Sequence, residues 1–332
     1  ALGALELQGS ALRRGERWSG ELSSLQLAPA RGAAWRLQSP ARYAQAGAGW
    51  TLSRSCFASS DGGALCADAD WPRRGMAFEG RKLALALATP YLPEREGGRP
   101  WALRGEIDLD GQLRPAGNAW AGHVAVRSAE GGMRNSERAR RDVVSYRDLR
   151  LDADFTPARI EATLSTVFND DGHVRARVAT GWDATSTLAG EIDADTDELT
   201  WLELFSQDIV EPTGRLQANL TLGGTRAQPA LGGQARLSDF STEIPALGIV
   251  LEQGNAQLQA QPDGGARITG SVRSGEGPLD IDGSLNWRDA SAPLVLNLRG
   301  ENVLASDTRD LHLIANPDLA VRYAAGQPLS VS

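Results

Sequence analysis

Apolar and polar residues alternate with a period of two along almost the whole chain. That rhythm belongs to a strand with one apolar and one polar face. Within residues 214–222, Leu216, Ala218, Leu220 and Leu222 fall on one side, while Arg215, Gln217, Asn219 and Thr221 fall on the other. The same rule sets Leu103, Ile107 and Leu109 against Arg104, Glu106 and Asp108, and Leu149, Leu151 and Phe155 against Arg150, Asp152 and Asp154. Val174, Ala176 and Val178 oppose His173, Arg175 and Arg177; Leu279, Ile281 and Leu285 oppose Asp280, Asp282 and Ser284; Leu294, Leu296 and Leu298 continue the series. Short turn signals separate these runs: Asn169-Asp170-Asp171-Gly172, Gly223-Gly224-Thr225, Pro262-Asp263-Gly264-Gly265 and Ser274-Gly275-Glu276-Gly277. The spacing predicts about twenty strands in antiparallel meanders, with no helical stretches long enough for parallel crossovers.

A sheet of that many strands cannot bury its apolar face in one compact core, because open twisted sheets beyond about ten strands curl, split or flatten. Closed sandwiches would cover the face, and so would a trough whose inner wall is Leu, Ile, Val and Ala. Periodicity alone does not choose between them. The 332 residues include 37 glycines, for which turns are the expected use. A net charge of −8 argues against the broad basic surface that dominates nucleic-acid affinity, so nucleic acid is not an expected partner. No run approaches the roughly 20 apolar residues that span a bilayer, and the first residues lack the features of a signal peptide. Absence of an initiating Met and a stop in mid-alternation suggest a piece of a longer polypeptide.

Cys56 and Cys66 flank Ser59-Ser60-Asp61-Gly62-Gly63, and a hairpin centred on Asp61 pairs them directly. Opposed cysteines of a non-hydrogen-bonded pair lie about 4.5 Å apart at Cα, within reach of a disulfide and hence of an oxidising compartment such as a periplasm. Two buried thiols are the plainer alternative, and zinc lacks the ligands it would need. The phases conflict, however: Cys56 is in step with Trp50 and Leu52, whereas Cys66 is out of step with Leu65 and Trp71. One of the two strands must be bulged, or polar on its inner face.

Two segments break the alternation. Leu202, Phe205 and Ile209 stand near helical spacing behind Thr196 and Asp197 as caps, which predicts a short helix near 197–207. Residues 133–143 gather Arg134, Arg138, Arg140 and Arg141 in an insertion that reads as a solvated hairpin loop or as a contact for anionic head groups or a partner. No nucleophile elbow or dinucleotide fingerprint occurs, and residues 75–82 fail as a phosphate loop, with Lys82 one place late and no following Ser or Thr. Asp193-Ala194-Asp195-Thr196-Asp197 begins like a calcium loop, but Glu198 stands where Gly is needed and Leu204 where the bidentate Glu belongs. His123, His173 and His312 are dispersed and fall on polar faces. No catalytic residue, cofactor or metal is therefore expected. Carboxylate pairs on an exposed strand face leave an enzyme only as a minority alternative.

From Gly214 the run Gly-x-Leu-x-Ala-x-Leu, then Gly223-Gly224-Thr225, Pro229-Ala230-Leu231-Gly232-Gly233, Ile244-Pro245 and Gly248-Ile249 resembles the TamB family of Gram-negative bacteria. Trp201-Leu202-Glu203-Leu204-Phe205, the Cys56/Cys66/Trp71 set and Asn316-Pro317-Asp318-Leu319 look similar as well. The resemblance covers most of the chain, least distinctively over 90–142. It implies an elongated β-taco, a partly open β-helix-like trough of mainly antiparallel strands with an apolar interior, and so selects the trough over the sandwiches. It further implies a periplasmic, inner-membrane-anchored protein, with phospholipid acyl chains and a TamA-like barrel of the Omp85 type as partners. The barrel would be met through parts of the protein outside this chain. On this reading residues 1–195 are a first trough segment carrying the cysteine hairpin, 196–210 a short helix, and 211–332 a second segment continuous with the first. The lipid-facing wall would be Leu103, Ile107, Leu109, Leu149, Leu151, Val174, Val178, Leu216, Leu220, Leu222, Leu279, Ile281, Leu285, Leu294, Leu296 and Leu298. The alternative is a scaffold or chaperone for outer-membrane β-barrel proteins, binding clients by strand addition at exposed edges.

Overall fold

The structure is a computed structural model describing residues 3–92, 101–168, 172–204, 209–261, 265–286, 294–323 and 330–331. It divides into two compact units, Ala1–Thr166 and Val167–Ser332. The first contains β1 (Gly3–Arg14), β2 (Arg17–Pro29), β3 (Trp35–Leu37), β4 (Ala41–Ala46), β5 (Gly49–Ser59), β6 (Ala64–Trp71), β7 (Gly75–Ala84), β8 (Ala102–Ala116), β9 (Ala119–Arg134) and β10 (Val144–Phe155), and ends within β11 (Ile160–Phe168). Neighbours in sequence pair antiparallel, except that β3 and β4 each bridge β2 to β5. The second unit runs β12 (Gly172–Thr180), β13 (Ala189–Thr196), β14 (Val210–Gly224), β15 (Pro229–Ile244), β16 (Ile249–Ala260), β17 (Ala266–Ser274), β18 (Gly277–Leu285) and β19 (Leu294–Gly300). Then follow β20 (Val303–Asp307), which pairs with β21 (His312–Ala315), β22 (Asp318–Tyr323), which returns to β19, and β23 (Ser330–Val331). The fold is all-β and of the β-taco class.

The predicted helix shortens to one 3₁₀ turn, Thr200–Leu204; residues 205–208, and Phe205 with them, lie outside the described residues. Thr196 Oγ1 accepts from the Glu198 amide at 3.0 Å in the preceding turn, the Thr200 amide at the start of the 3₁₀ turn donates to the Glu198 carboxylate at 3.0 Å, and Leu199 is buried at 1% exposure. A second 3₁₀ segment, Leu85–Tyr91, has no counterpart in the sequence expectations. The Ser274–Gly277 turn forms as expected, with Gly275 at φ 60°. The turns expected at 169–172 and 262–265 lie mostly outside the described residues.

The strands are not straight. Register slips occur between Leu52 and Ser55 on β5, Gly80 and Leu83 on β7, Gly105 and Asp108 on β8, Val210 and Thr213 on β14, Leu237 and Phe240 on β15, and Glu252 and Asn255 on β16. A bulge bends its strand and increases the local twist. Lys82, Glu211, Asp239 and Gln253 adopt left-handed backbone near φ 50° at these slips, and Asp148 does so on β10, although none is glycine. Each slip breaks the ladder and strands a backbone carbonyl, and buried hydroxyls take up several of them. Ser55 Oγ donates to Ser53 O (2.7 Å), Ser128 Oγ to Glu106 O (2.7 Å), Thr166 Oγ1 to Arg147 O (3.1 Å) and Thr242 Oγ1 to Val210 O (2.9 Å). Ser274 Oγ likewise reaches Leu304 O at 2.6 Å. Among the described residues the buried polar ones are all Ser or Thr: Ser55, Ser128, Thr166, Thr196, Thr242, Ser274 and Ser306.

Turns are not the sole use of glycine. Several sit inside strands, where a large cross-strand neighbour covers them. A Cβ at Gly111 would lie 2.5 Å from Phe78 Cζ, at Gly80 2.9 Å from Leu109 Cγ, and at Gly283 2.7 Å from Leu296 Cδ2. Little of the apolar surface reaches full burial: beyond alanines the core holds Leu37, Leu83, Val143, Leu199, Ile249, Val272 and Val303. The chain exposes 20350 Å², where even two separate compact bodies of half its mass would together expose about 16,000 Å². The residues of the apolar face are mostly half-buried.

Losing one bulge hydroxyl leaves a buried carbonyl unsatisfied, at a cost of about 1–3 kcal/mol. Thr242→Val should lower the denaturant midpoint accordingly with an unchanged m-value, and Thr242→Ser should restore most of the loss.

Candidate functional site

The register assembles the apolar residues into continuous rows. In the second unit, Val174 faces Ala194, Ala194 faces Ala218, Ala218 faces Ala235, Ala235 faces Leu258, Leu258 faces Ile268, Ile268 faces Gly283, Gly283 faces Leu296, and Leu296 faces Val321. A second row passes from Leu216 through Leu237, Ala256, Gly270, Ile281 and Leu298 to Leu319. Val178 and Leu222 both face Gly190, Leu220 lies between Ile192 and Gly233, Leu279 between Val272 and Gly300, and Leu285 between Ala266 and Leu294. No charged side chain interrupts either row.

In the first unit, Leu109 faces Val126 and Val126 faces Leu151, while Leu149 faces Ser128, Leu103 faces Met133, and Ile107 faces Leu83. Every residue proposed from sequence for the wall is half-buried, neither sealed in a core nor fully in water. The same face also takes in Leu65, Phe78, Val124, Ile192, Leu237 and Ile268. Those were missed in the sequence although the same alternation marks them, because glycine or alanine stands at the neighbouring apolar positions.

Cys56 and Cys66 form a disulfide with Cα atoms 4.0 Å apart. The phase conflict resolves through the bulge between Leu52 and Ser55. Trp50 and Leu52 oppose Trp71 and Ala69; beyond the slip, Ser55 and Phe57 take the apolar side opposite Ala67 and Leu65, and Cys56 turns to the polar side with Cys66.

The polar face is laced with cross-strand ion pairs. Arg215 grips Asp195 with two bonds of 2.8 and 2.9 Å and, with Gln217, holds that carboxyl below the usual carboxylate range. Arg267 meets Asp282 at 3.2 Å and Arg299 meets Asp318 at 3.0 Å. His123 and His173 lie on this face beside acids, at 3.2 Å from Asp110 and 2.7 Å from Asp193, while His312 meets Asp307 at 3.0 Å in the separate β20–β21 pair. Among the described residues no group of His, Cys, Asp and Glu is placed to hold a metal ion.

The arginine-rich insertion is anchored at its base. Asp142 accepts 2.6 Å bonds from Arg104 Nη2 and Arg134 Nε, in a space that a Cβ at Gly132 would crowd to 2.7 Å. Burial alone pushes the Asp142 carboxyl up, but the two guanidinium groups outweigh it and hold it below its ordinary value.

An antiparallel sheet creased by bulges, with one ion-paired face and one largely apolar face, defines a protein of the β-taco class. The chain belongs to the TamB family: the family model described as TamB, N-terminal domain, matches residues 1–237. No curated protein and no solved structure matches the chain significantly. The TamB family is a non-enzymatic transport and assembly module that bridges membranes, works with TamA, binds lipids and serves outer-membrane assembly and lipid transport. Among the described residues no helix is long and apolar enough to cross a membrane.

Because the folded Asp142 titrates below its unfolded value near 3.9, its ion pairs contribute fully above about pH 4 and are lost as pH falls through the lower folded value. Thermal melts of Asp142→Asn should therefore show a shallower loss of stability with acid than the wild type, together with a lower Tm at neutral pH.

Proposed function

We propose that the apolar face is a path for phospholipid acyl chains, used in the periplasm by a protein of the TamB family to carry lipid between the inner and outer membranes, without a catalytic step. The observation that carries this reading is the second unit's pair of apolar rows, which run across β14 to β19 and β22 with mostly half-buried side chains and no charge. An acyl chain asks for dry, non-directional contact and gains about 0.8 kcal/mol per methylene buried. Such a wall offers that contact at every strand. Fixed polar groups of the kind an enzyme needs are confined to the other face, where they pair with one another. The Cys56–Cys66 disulfide suits the oxidising compartment that the reading requires.

Half-burial makes the test practicable, since an arginine at such a position can reach water with its head while its stem stays on the wall. Native mass spectrometry with lipid extraction should find phospholipid on the wild-type chain. Leu220→Arg and Ile281→Arg should lose it while keeping the wild-type circular dichroism spectrum. A wild type that stays empty after incubation with labelled lipid contradicts the proposal and favours a scaffold that binds client strands at its edges.

A further inference from the structure

Four hairpin turns of the first unit come together at one end of its strands: β1 to β2 at Gly15, β4 to β5 at Gly47, β6 to β7 at Pro72-Arg73-Arg74, and β8 to β9 at Gly117. The pairings Arg14 with Arg17, Arg17 with Ala46, Ala46 with Gly49, Trp50 with Trp71, Met76 with Leu113 and Pro115 with Trp120 place them side by side. At about 4.8 Å per strand, the edge from β2 to β9 extends for roughly 29 Å.

Along it the apolar face terminates in indoles. Trp71 stacks on Trp50 at 6.3 Å and meets Trp120 at 5.4 Å. Trp18, Trp50 and Trp120 remain 42%, 37% and 39% exposed. Arginines are interleaved with them. The Arg13 guanidinium sits 5.5 Å over Trp18, and Arg14, Arg17, Arg73, Arg74 and Arg114 are exposed. Among the described residues none of those five makes an ion pair, whereas Arg54, Arg127, Arg215, Arg267 and Arg299 on the strands each meet an acid. Glu16 and Asp70 are the acids within these turns and their flanks. A chain of net charge −8 thus carries a concentrated positive edge.

We infer that this tryptophan–arginine edge docks on the surface of an anionic phospholipid bilayer. Indoles are the side chains that settle at the headgroup boundary, because the ring is apolar while its N–H still finds a partner. A guanidinium recognises phosphate with paired N–H bonds. Single arginines spread along a line fit a planar array of phosphates better than one buried anion, which would need them to converge. Nucleic acid fits poorly, since the indoles stack on one another and leave no slot for a base. Exposed apolar groups rimmed by charge mark a contact site, and apolar insertion combined with electrostatic attraction is the double signal that stable attachment to a membrane surface requires.

Vesicle flotation separates this edge from the lipid path. The whole chain should float with vesicles containing phosphatidylglycerol, release as salt is raised, and show a blue-shifted tryptophan emission; vesicles of phosphatidylcholine alone should hold it weakly. The double variant Arg73→Gln/Arg74→Gln should bind roughly thirtyfold more weakly. Trp18→Ser/Trp120→Ser should lose the salt-resistant part of the binding. Ile281→Arg, which addresses the apolar wall of the other unit, should float like the wild type, as should the polar-face control Arg299→Gln. Equal binding by the Arg73/Arg74 variant and the wild type, or no flotation on anionic vesicles, overturns the inference. Capture of an acidic protein by this edge in place of vesicles overturns it too.

Discussion

When a strand bends at a bulge, at least one backbone carbonyl loses its place in the ladder, and a buried carbonyl without a donor is costly. This chain supplies donors from Ser and Thr side chains. Val210 O is met by Thr242, Glu106 O by Ser128 and Arg147 O by Thr166, each hydroxyl reaching from another strand. The device allows a sheet to crease without water entering the crease. Methyl and methylene groups occupy nearly all of the remaining apolar face, so the few polar atoms on that side are tied down at the bends and the rest of the wall stays chemically featureless.

That uniformity suits the lipid path proposed for this face. Selective chemistry depends on charges held apart from their partners, whereas Arg215 with Asp195, Arg267 with Asp282 and Arg299 with Asp318 neutralise one another on the opposite face. Glycine tunes the wall in a second way. Leu296 lies over Gly283 and Phe78 over Gly111, so large side chains lean into gaps made by their neighbours and the surface stays level rather than ridged.

Much of this was legible in the sequence, because period-two alternation survives translation into strands almost residue for residue. Leu216, Leu220, Ile281 and Leu298 lie on one face as their spacing requires. The conflict in phase between the Cys56 and Cys66 strands called for a bulge or a polar inner face, and the bulge lies between Leu52 and Ser55. Other features left no local mark. Lys82, Asp148 and Glu211 take left-handed backbone without being Gly or Asn, because the demand comes from neighbouring strands rather than from their own propensity. Within the described part of the expected helix the structure has a 3₁₀ turn, Thr200–Leu204, packed beside the buried Leu199. Trp18, Trp50, Trp71 and Trp120 are far apart in sequence, and only the strand register gathers them at one edge.

The central claim is that one face of this sheet, and not the other, meets lipid. Photocrosslinking residues placed singly at consecutive positions of β14 and β19 test it, after exposure of the folded protein to labelled phospholipid. The account predicts a period of two: adducts at Leu220, Leu222, Leu296 and Leu298, and none at Asn219, Thr221, Asn297 and Arg299. Adducts spread over both faces, or confined to the polar one, would contradict it.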